Sequence, residues 1–514
     1  MRWLRMLFWI LLGLGVLWVA GRLVFPVPST AGRPTEAAIP FDPNTKLGPR
    51  AVDAQAAHPG KSGVLPLAEA QVALHSRIAL ARNAERSLDV MYYIWHDDTS
   101  GLILLNELRA AAARGVRVRL LLDDNGIKGM DQILAAMNAQ PNFELRLFNP
   151  STVRQPKMAG YALYPLRMNR RMHNKAFIVD GAVAIVGGRN IGDEYFAVGD
   201  APSYLDLDVL GVGTVVADTA AIFDQYWNSE PVLALEQVIA GDGDMAAFDT
   251  ALAAAVASEA GTAYLANVQT AVEHFAANNG PLLEWTDVQV VADDPAKGMG
   301  KVGRDQLMIN RLADIVGDTT QQLDLISAYF VPAKEGAHYF GSLAQKGVNV
   351  RILTNSWEAT DVPMVHAGYT KYRRELLEDG AHLFELKRDG ERPQGKDELG
   401  PIGSSGASLH AKTFVVDDNR VFIGSFNFDP RSALLNCEMG FLIDSPAIAH
   451  ANTRMFDEIL APRSYQPELQ GRDMVWKDPQ PDGSFITVDH EPGLGFGNRV
   501  MVYILNVLPI EWLL

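Results

Sequence analysis

Apolar positions along this chain change their period several times, and the same order of periods runs twice. AQVALHSRIALARNAE (70–85) carries apolar residues at helical spacing, and SLDVMYYIW (87–95) reads as a buried strand. LLNELRAAAARG (104–115) predicts a helix closed by Gly115, and VRVRLLLDDN (116–125) a second strand. The later half repeats the series: helix in QLMINRLADIVGD (306–318), strand in QLDLISAYFV (322–331), helix in FGSLAQKG (340–347), strand in VNVRILTNS (348–356). Self-similarity on this scale implies two copies of one supersecondary plan. Strands alternating with helices predict α/β domains with a largely parallel sheet covered by helices.

The pattern divides the chain into a first domain at 61–230, an Ala-rich helical connector at 231–285 and a second domain at 286–465. A tail at 466–514 ends in RVMVYILNVLPIEWLL, which reads either as a last core element or as an interfacial membrane segment. Residues 26–60 are rich in Pro, Gly, Ala and Thr without sustained periodicity and predict a linker. Ahead of it, residues 1–25 place Arg2 and Arg5 before an apolar run approaching the roughly 20 residues that span a bilayer. An uncleaved anchor is the expectation, with a signal peptide cut near Ser29-Thr30-Ala31 as the rival. Arg2 and Arg5 favour a cytoplasmic start and the body of the protein on the outer side, whereas Arg33 and Lys46 on the other flank pull against it.

With 514 residues, the chain is too long for one ordinary core. A formal net charge of −16 disfavours a nucleic-acid partner. Cys437 stands alone, so an internal disulfide and a thiolate zinc site are both excluded.

Each copy of the plan leads into the same small polar set. RMHNKAFIVDGAVAIVGGRNIGDEYF (171–196) holds His173, Lys175, Asp180, Gly187, Gly188 and Asn190. SLHAKTFVVDDNRVFIGSFNFDPRS (408–432) holds His410, Lys412, Asp417, Gly424, Ser425 and Asn427. On a strand, His and Lys two positions apart share a face, and the returning strand brings the Asn beside them. Two such halves facing each other suit a phosphodiester. The ammonium and amide groups hold the non-bridging oxygens, one imidazole attacks phosphorus, and the opposite one protonates the leaving oxygen. The two imidazoles must then start in different protonation states, each oriented by a carboxylate. Glu438 follows the second motif, and Asp206, with Asp208 as alternative, follows the first. Asp180 and Asp417, at strand ends, are expected to support turns.

Other candidates are weaker. Arg171, with Arg167 and Arg170, forms a basic stretch that reads either as a headgroup-attracting patch or as a solvated loop. His366 opens a predicted helix and is a candidate headgroup contact or a capping or surface histidine. His338, His382 and the Asp123-Asp124 pair lack metal-ligand spacing, so no metal is expected.

At the doubled H-x-K-x4-D motif the chain resembles the phospholipase D superfamily, and more closely bacterial cardiolipin synthases of the type C branch. The likeness runs from HPGKSGVLPL through YYIWHDDTSG, RMHNKAFIVDG, VGGRNIGDEYF, DVPMVHAGY, SGASLHAKTFVVDD and IGSFNFDPRS to LPIEWLL. It implies two α/β/α sandwich domains with the site at their interface, and two-step phosphatidyl transfer through a phosphohistidine on His173 with His410 as general acid. Lys175, Lys412, Asn190 and Asn427 match the phosphate-holding positions. Gly188 stands where the second motif has Ser425, leaving one hydroxyl near the phosphate. No cofactor is implied. The expected partners are the membrane, phosphatidylglycerol, phosphatidylethanolamine and cardiolipin, in a bacterial inner membrane with the body on the periplasmic side; no protein partner is implied. The alternative is hydrolysis of phospholipid or, less favoured by charge and anchor, of nucleic acid.

Overall fold

The computed structural model describes residues 2–199, 203–267, 283–388, 409–508 and 511–513. Part of the expected helical connector, 268–282, and the approach to the second motif, 389–408, lie outside the described residues, as do 509–510 in the tail. The strands of the first half are β1 (Ser62–Leu67), β2 (Ser87–Ile94), β3 (Arg117–Gly126), β4 (Phe143–Phe148), β5 (Ala176–Val179), β6 (Val183–Gly187), β7 (Asp208–Gly213) and β8 (Val232–Ala234). They pair in the order β8-β4-β3-β2-β5-β6-β7-β1, parallel only within β2-β3-β4 and antiparallel elsewhere, so the largely parallel sheet expected from the sequence is instead mixed: helical crossovers link only β2, β3 and β4, and the motif strands β5 and β6 return as a hairpin.

The second half has β9 (Glu284–Ala292), β10 (Gln322–Ser327), β11 (Asn349–Asn355), β12 (His382–Leu386), β13 (Lys412–Val416), β14 (Arg420–Gly424), β15 (Met439–Asp444) and β16 (Ser464–Gln470). Their order is β16-β12-β11-β10-β13-β14-β15-β9, with β10-β11-β12 parallel. Strand for strand this is the first sheet again. β9 joins the two, pairing through residues 284–286 with β1 and through 287–292 with β15.

Helices Thr99–Ala113 and Ala333–Gln345 make the equivalent crossovers after β2 and β10. Each is followed two residues on by a glycine at positive φ, 96° at Gly115 and 93° at Gly347, a conformation that a side chain would strain. The strand alternation sorts the core. Val90 and Tyr92 face a helix-covered core of the first lobe, while Met91 faces inward. In the second lobe Phe414 and Val416 face outward and Val415 inward. Met91, Ile178, Val186 and Val209 of one lobe therefore pack with Val415, Ile423, Met439 and Phe441 of the other, making the junction a continuous apolar core.

Helix Arg2–Val24 buries none of its residues and is long and apolar enough to cross a membrane. Its far end is seated on the first lobe. Trp18 Nε1 donates to the Ala162 carbonyl at 3.2 Å, and the Arg22 guanidinium lies 4.7 Å from the ring centres of both Trp18 and Tyr164. The segment read as a linker is pinned rather than loose. Arg33 donates to the carbonyls of Val232 and Ser229, the Glu36 and Ala38 amides reach Asn228 and Asp224, and Gly48–Ala57 is helical. Composition without periodicity looked like a tether because these bonds all go to distant residues.

The tail continues as β17 (Asp473–Pro479) and β18 (Phe485–Val488), then helix Phe496–Val507. That helix buries Val502 beside Trp357 and Ala367, and leaves Phe496, Tyr503, Ile504 and Val507 exposed.

Candidate active site

His173 lies three residues before the start of β5 and His410 two before the start of β13, and each backbone is stitched to the opposite lobe. The His173 amide donates to the Cys437 carbonyl, and the His410 amide to the Leu205 carbonyl, each at 2.8 Å. The residues next in sequence are Glu438 and Asp206, and the side chains cross in the same way. His173 Nδ1 donates to Glu438 Oε2 at 2.8 Å and His410 Nδ1 to Asp206 Oδ2 at 2.5 Å. Every imidazole is thus oriented by a carboxylate of the other lobe, leaving its Nε2 for a reacting atom. Both rings are nearly buried, 7% and 6% exposed. These reciprocal bonds bring the two motifs to one site, where Lys412 acts electrostatically on His173 and Lys175 on His410. Asp208, the alternative to Asp206, instead holds the buried guanidinium of Arg77 at 2.8 Å.

Burial is the main influence on the imidazoles, pushing His173 down to about 4 and His410 down to about 3, against the partial relief of their carboxylates. Both environments thus favour the neutral ring, and they do not by themselves set the opposite protonation states expected from sequence. Burial would raise Glu438, but His173, Lys175 and the Ser425 hydroxyl offset it and hold the carboxyl below its usual range. Asp206 is likewise held low, chiefly by His410 and Lys412 against burial. Burial lowers both lysines, Lys412 to about 8 and Lys175 well below its ordinary value. Each ammonium donates to the carbonyl of its own motif histidine.

Gly188 and Ser425 occupy equivalent places behind these pairs. A Cβ at Gly188 would fall 2.1 Å from Asp206 Oδ1, so the glycine makes room for the carboxylate. The Ser425 hydroxyl donates to Glu438 Oε2 at 2.5 Å and accepts from the Met439 amide. The hydroxyl expected at the phosphate is thus engaged with Glu438, and both positions shape the carboxylates. Asn190 accepts from the Ile94 amide and donates to the Tyr195 hydroxyl, while Asn427 Oδ1 faces the equivalent Tyr329 amide at 3.4 Å. Asp180 gathers the amides of Glu85, Arg86 and Ser87, and Asp417 those of Thr320, Gln321 and Gln322.

Two candidates sit elsewhere than expected. Arg171 is fully buried, its guanidinium on Asp123 at 2.5 and 2.9 Å, so it belongs to neither a surface patch nor a solvated loop. A local run of basic residues does not reveal the distant acid that draws one of them inside. His366 is buried within its helix, bonded to Glu491, which also takes both terminal nitrogens of Arg373. It fastens the tail rather than meeting a headgroup.

Aromatic rings complete the site. Tyr93 stands edge-on to His173 at 5.0 Å, and Tyr195 and Tyr204 lie 5.1 and 5.2 Å from His410. Of these, Tyr93 falls in the stretch read from sequence as a buried strand, and Tyr195 and Tyr204 carried no signal beyond proximity to the motifs. Among the described residues, ligand atoms of His96, Asp98 and Glu194 come within 4.8 Å of one another. Asp98 is spent capping Thr99–Ala113 and accepting the Asp193 amide, and we assign this group a structural role.

A family model described as "Cardiolipin synthase, PLD-like domain" matches residues 78–227 and again 312–460, once on each lobe. The chain belongs to this phospholipase D-like family. Cardiolipin synthase C of Escherichia coli (strain K12) is 46% identical over 463 residues, 89% of this chain and 97% of that one. A cardiolipin synthase of Listeria monocytogenes serotype 4a (strain HCC23) is 26% identical over 403 residues, covering 78% of this chain and 69% of its own. The crystal structure of phosphatidylserine synthase from Haemophilus influenzae Rd KW20 shares the fold, with a TM-score of 0.56 at 14% identity over 90% of this chain and 100% of that one. The resemblance read from the doubled motif and the duplicated α/β architecture are both borne out. Membership makes the chain an enzyme of the phosphatidyltransferase class, associated with membranes, in keeping with helix Arg2–Val24.

Proposed function

We propose that this protein makes cardiolipin by moving the phosphatidyl group of phosphatidylethanolamine onto phosphatidylglycerol. The observation that carries the mechanism is the pair of buried imidazoles, one from each lobe and each oriented by the other lobe's carboxylate. His173 Nε2 attacks phosphorus while the bond to the ethanolamine oxygen breaks, and His410 as imidazolium gives that oxygen its proton. Neutral His410 then takes the proton of a phosphatidylglycerol hydroxyl, whose oxygen displaces His173 and completes the product. Lys175, Lys412, Asn190 and Asn427 surround the phosphoryl oxygens, where fixed positive charge and amide dipoles stabilise the transition state. Glu438 and Asp206 hold the imidazole tautomers, with Ser425 and Gly188 shaping those carboxylates. Asp180 and Asp417 support the strand ends.

The same reading places the catalytic body on the periplasmic face of a bacterial inner membrane. Arg2 and Arg5 stay at the cytoplasmic end of the first helix, and the exposed apolar face of Phe496–Val507 lies in the outer leaflet interface.

Purified full-length protein in detergent, given both lipids and followed by mass spectrometry, tests the proposal. Cardiolipin with equimolar free ethanolamine supports it. Phosphatidic acid as the sole product would replace it with hydrolysis.

A further inference from the structure

The surroundings of the two histidines differ, and the difference bears on which headgroup departs beside His410. Among the described residues His173 meets one aromatic ring, Tyr93, which already has the Lys175 ammonium 5.6 Å from its centre. The Tyr93 hydroxyl is held by Asn125, and Arg431 and Arg171 are among the charges acting on it. His410 meets two rings, Tyr195 and Tyr204, whose centres are 5.0 Å apart. A third, Tyr329, has its amide at the motif residue Asn427, interacts electrostatically with both rings and donates its hydroxyl to Asp361 Oδ2 at 2.6 Å. The other oxygen of that carboxylate, Oδ1, is buried without a hydrogen bond, while the Asp361 and Val362 amides and the more distant Lys412 charge also act on the carboxylate. A buried carboxylate oxygen left unpaired is costly, and the cost falls when a cation arrives. Tyrosine faces attract organic cations for a related reason, the negative face of the ring.

We propose that Tyr195, Tyr204, Tyr329 and Asp361 form a cage for the primary ammonium of the donor lipid's departing headgroup. The proposal rests on the donor and general-acid assignments above. The oxygen that His410 protonates must lie at His410, and in an ethanolamine headgroup the ammonium is two carbons from that oxygen. Rings on the same imidazole, with an under-satisfied carboxylate behind them, stand where that charge arrives. The acceptor hydroxyl enters by the same side in the second half-reaction. A glycerol headgroup carries no cation to be held there, so the cage discriminates donor from acceptor.

The test compares two donors of nearly equal shape, phosphatidylethanolamine and phosphatidylpropanol, with phosphatidylglycerol as acceptor and the full-length protein in detergent. Wild type should favour the charged donor by about tenfold or more in kcat/KM. Asp361→Asn and Tyr204→Leu should shrink that preference to about twofold, mainly by slowing the charged donor. Equal rates for both donors in wild type, or an unchanged preference in both variants, would overturn the cage. A measurement needing no variant is inhibition by free ethanolamine against ethylene glycol. Stronger inhibition by the amine supports the cage, and equal inhibition overturns it. Wild-type protein that transfers from neither donor removes the phosphatidyltransfer reading and the cage with it, a result distinct from transfer without preference.

Discussion

Glu438 of the second lobe accepts the Nδ1 proton of His173 of the first at 2.8 Å, and 13 positions before it in the sequence Ser425 donates to the same carboxylate oxygen. The reciprocal bond, His410 to Asp206, runs the other way across the junction. Replacing either carboxylate by its amide keeps the shape and removes the charge that fixes the tautomer. Glu438→Gln and Asp206→Asn should each lower kcat by about a hundredfold or more with little change in thermal stability. Turnover near wild type in either variant would show that its carboxylate does not orient a reacting imidazole.

Gly188→Ala should act through Asp206. The added methyl meets Asp206 Oδ1, and the carboxylate yields by leaving His410. We expect kcat to fall by about tenfold or more, with KM for phosphatidylglycerol changed less. An alanine variant of full activity would place the carboxylate out of reach of that position.

Stability should depend on pH through the same histidines. Each folded imidazole titrates below its ordinary value of 6.5, so between 6.5 and about 4 the unfolded chain binds protons that the folded one refuses. The stabilisation is complete above pH 6.5 and declines as pH falls. Midpoints of thermal unfolding in detergent should drop from pH 6.5 to 5, less steeply in His173→Gln. Identical slopes in the two proteins would contradict this.

Arg171→Met should destabilise the fold by about 3–5 kcal/mol, because Asp123 is left charged and buried. The loss reaches the site, since Asp123 also accepts the Met172 amide beside His173. A variant melting within a degree of wild type would deny the pair its structural weight.

Tyr503→Asp with Ile504→Asp, on the exposed face of the last helix, should weaken binding of an anchor-truncated protein to anionic vesicles. Sedimentation with vesicles reads this directly, and unchanged co-sedimentation would assign the face another role.

The repeated H-x-K-x4-D spacing made the residue set and the duplicated sheet legible, because strand period and motif order are local properties. Which carboxylate serves which histidine was not legible. That depends on how the lobes face, a matter of Met91 and Val186 packing on Val415 and Phe441 far along the chain. His366 and Arg171 escaped for the same reason, their partners Glu491 and Asp123 lying 125 and 48 positions away. The segment from Pro26 lacked any period to read, yet Arg33 and Glu36 pin it to residues nearly 200 positions away.

That pinned segment has a mechanical meaning. With Trp18 and Arg22 seated on the 162–164 turn and the following residues laid along the first lobe, the catalytic body has no leash on which to swing. With the first helix in the bilayer, as proposed above, the body rides at a set height above the membrane. Lipids then reach it by sliding sideways within a single leaflet, and turnover should track their surface density rather than their bulk concentration.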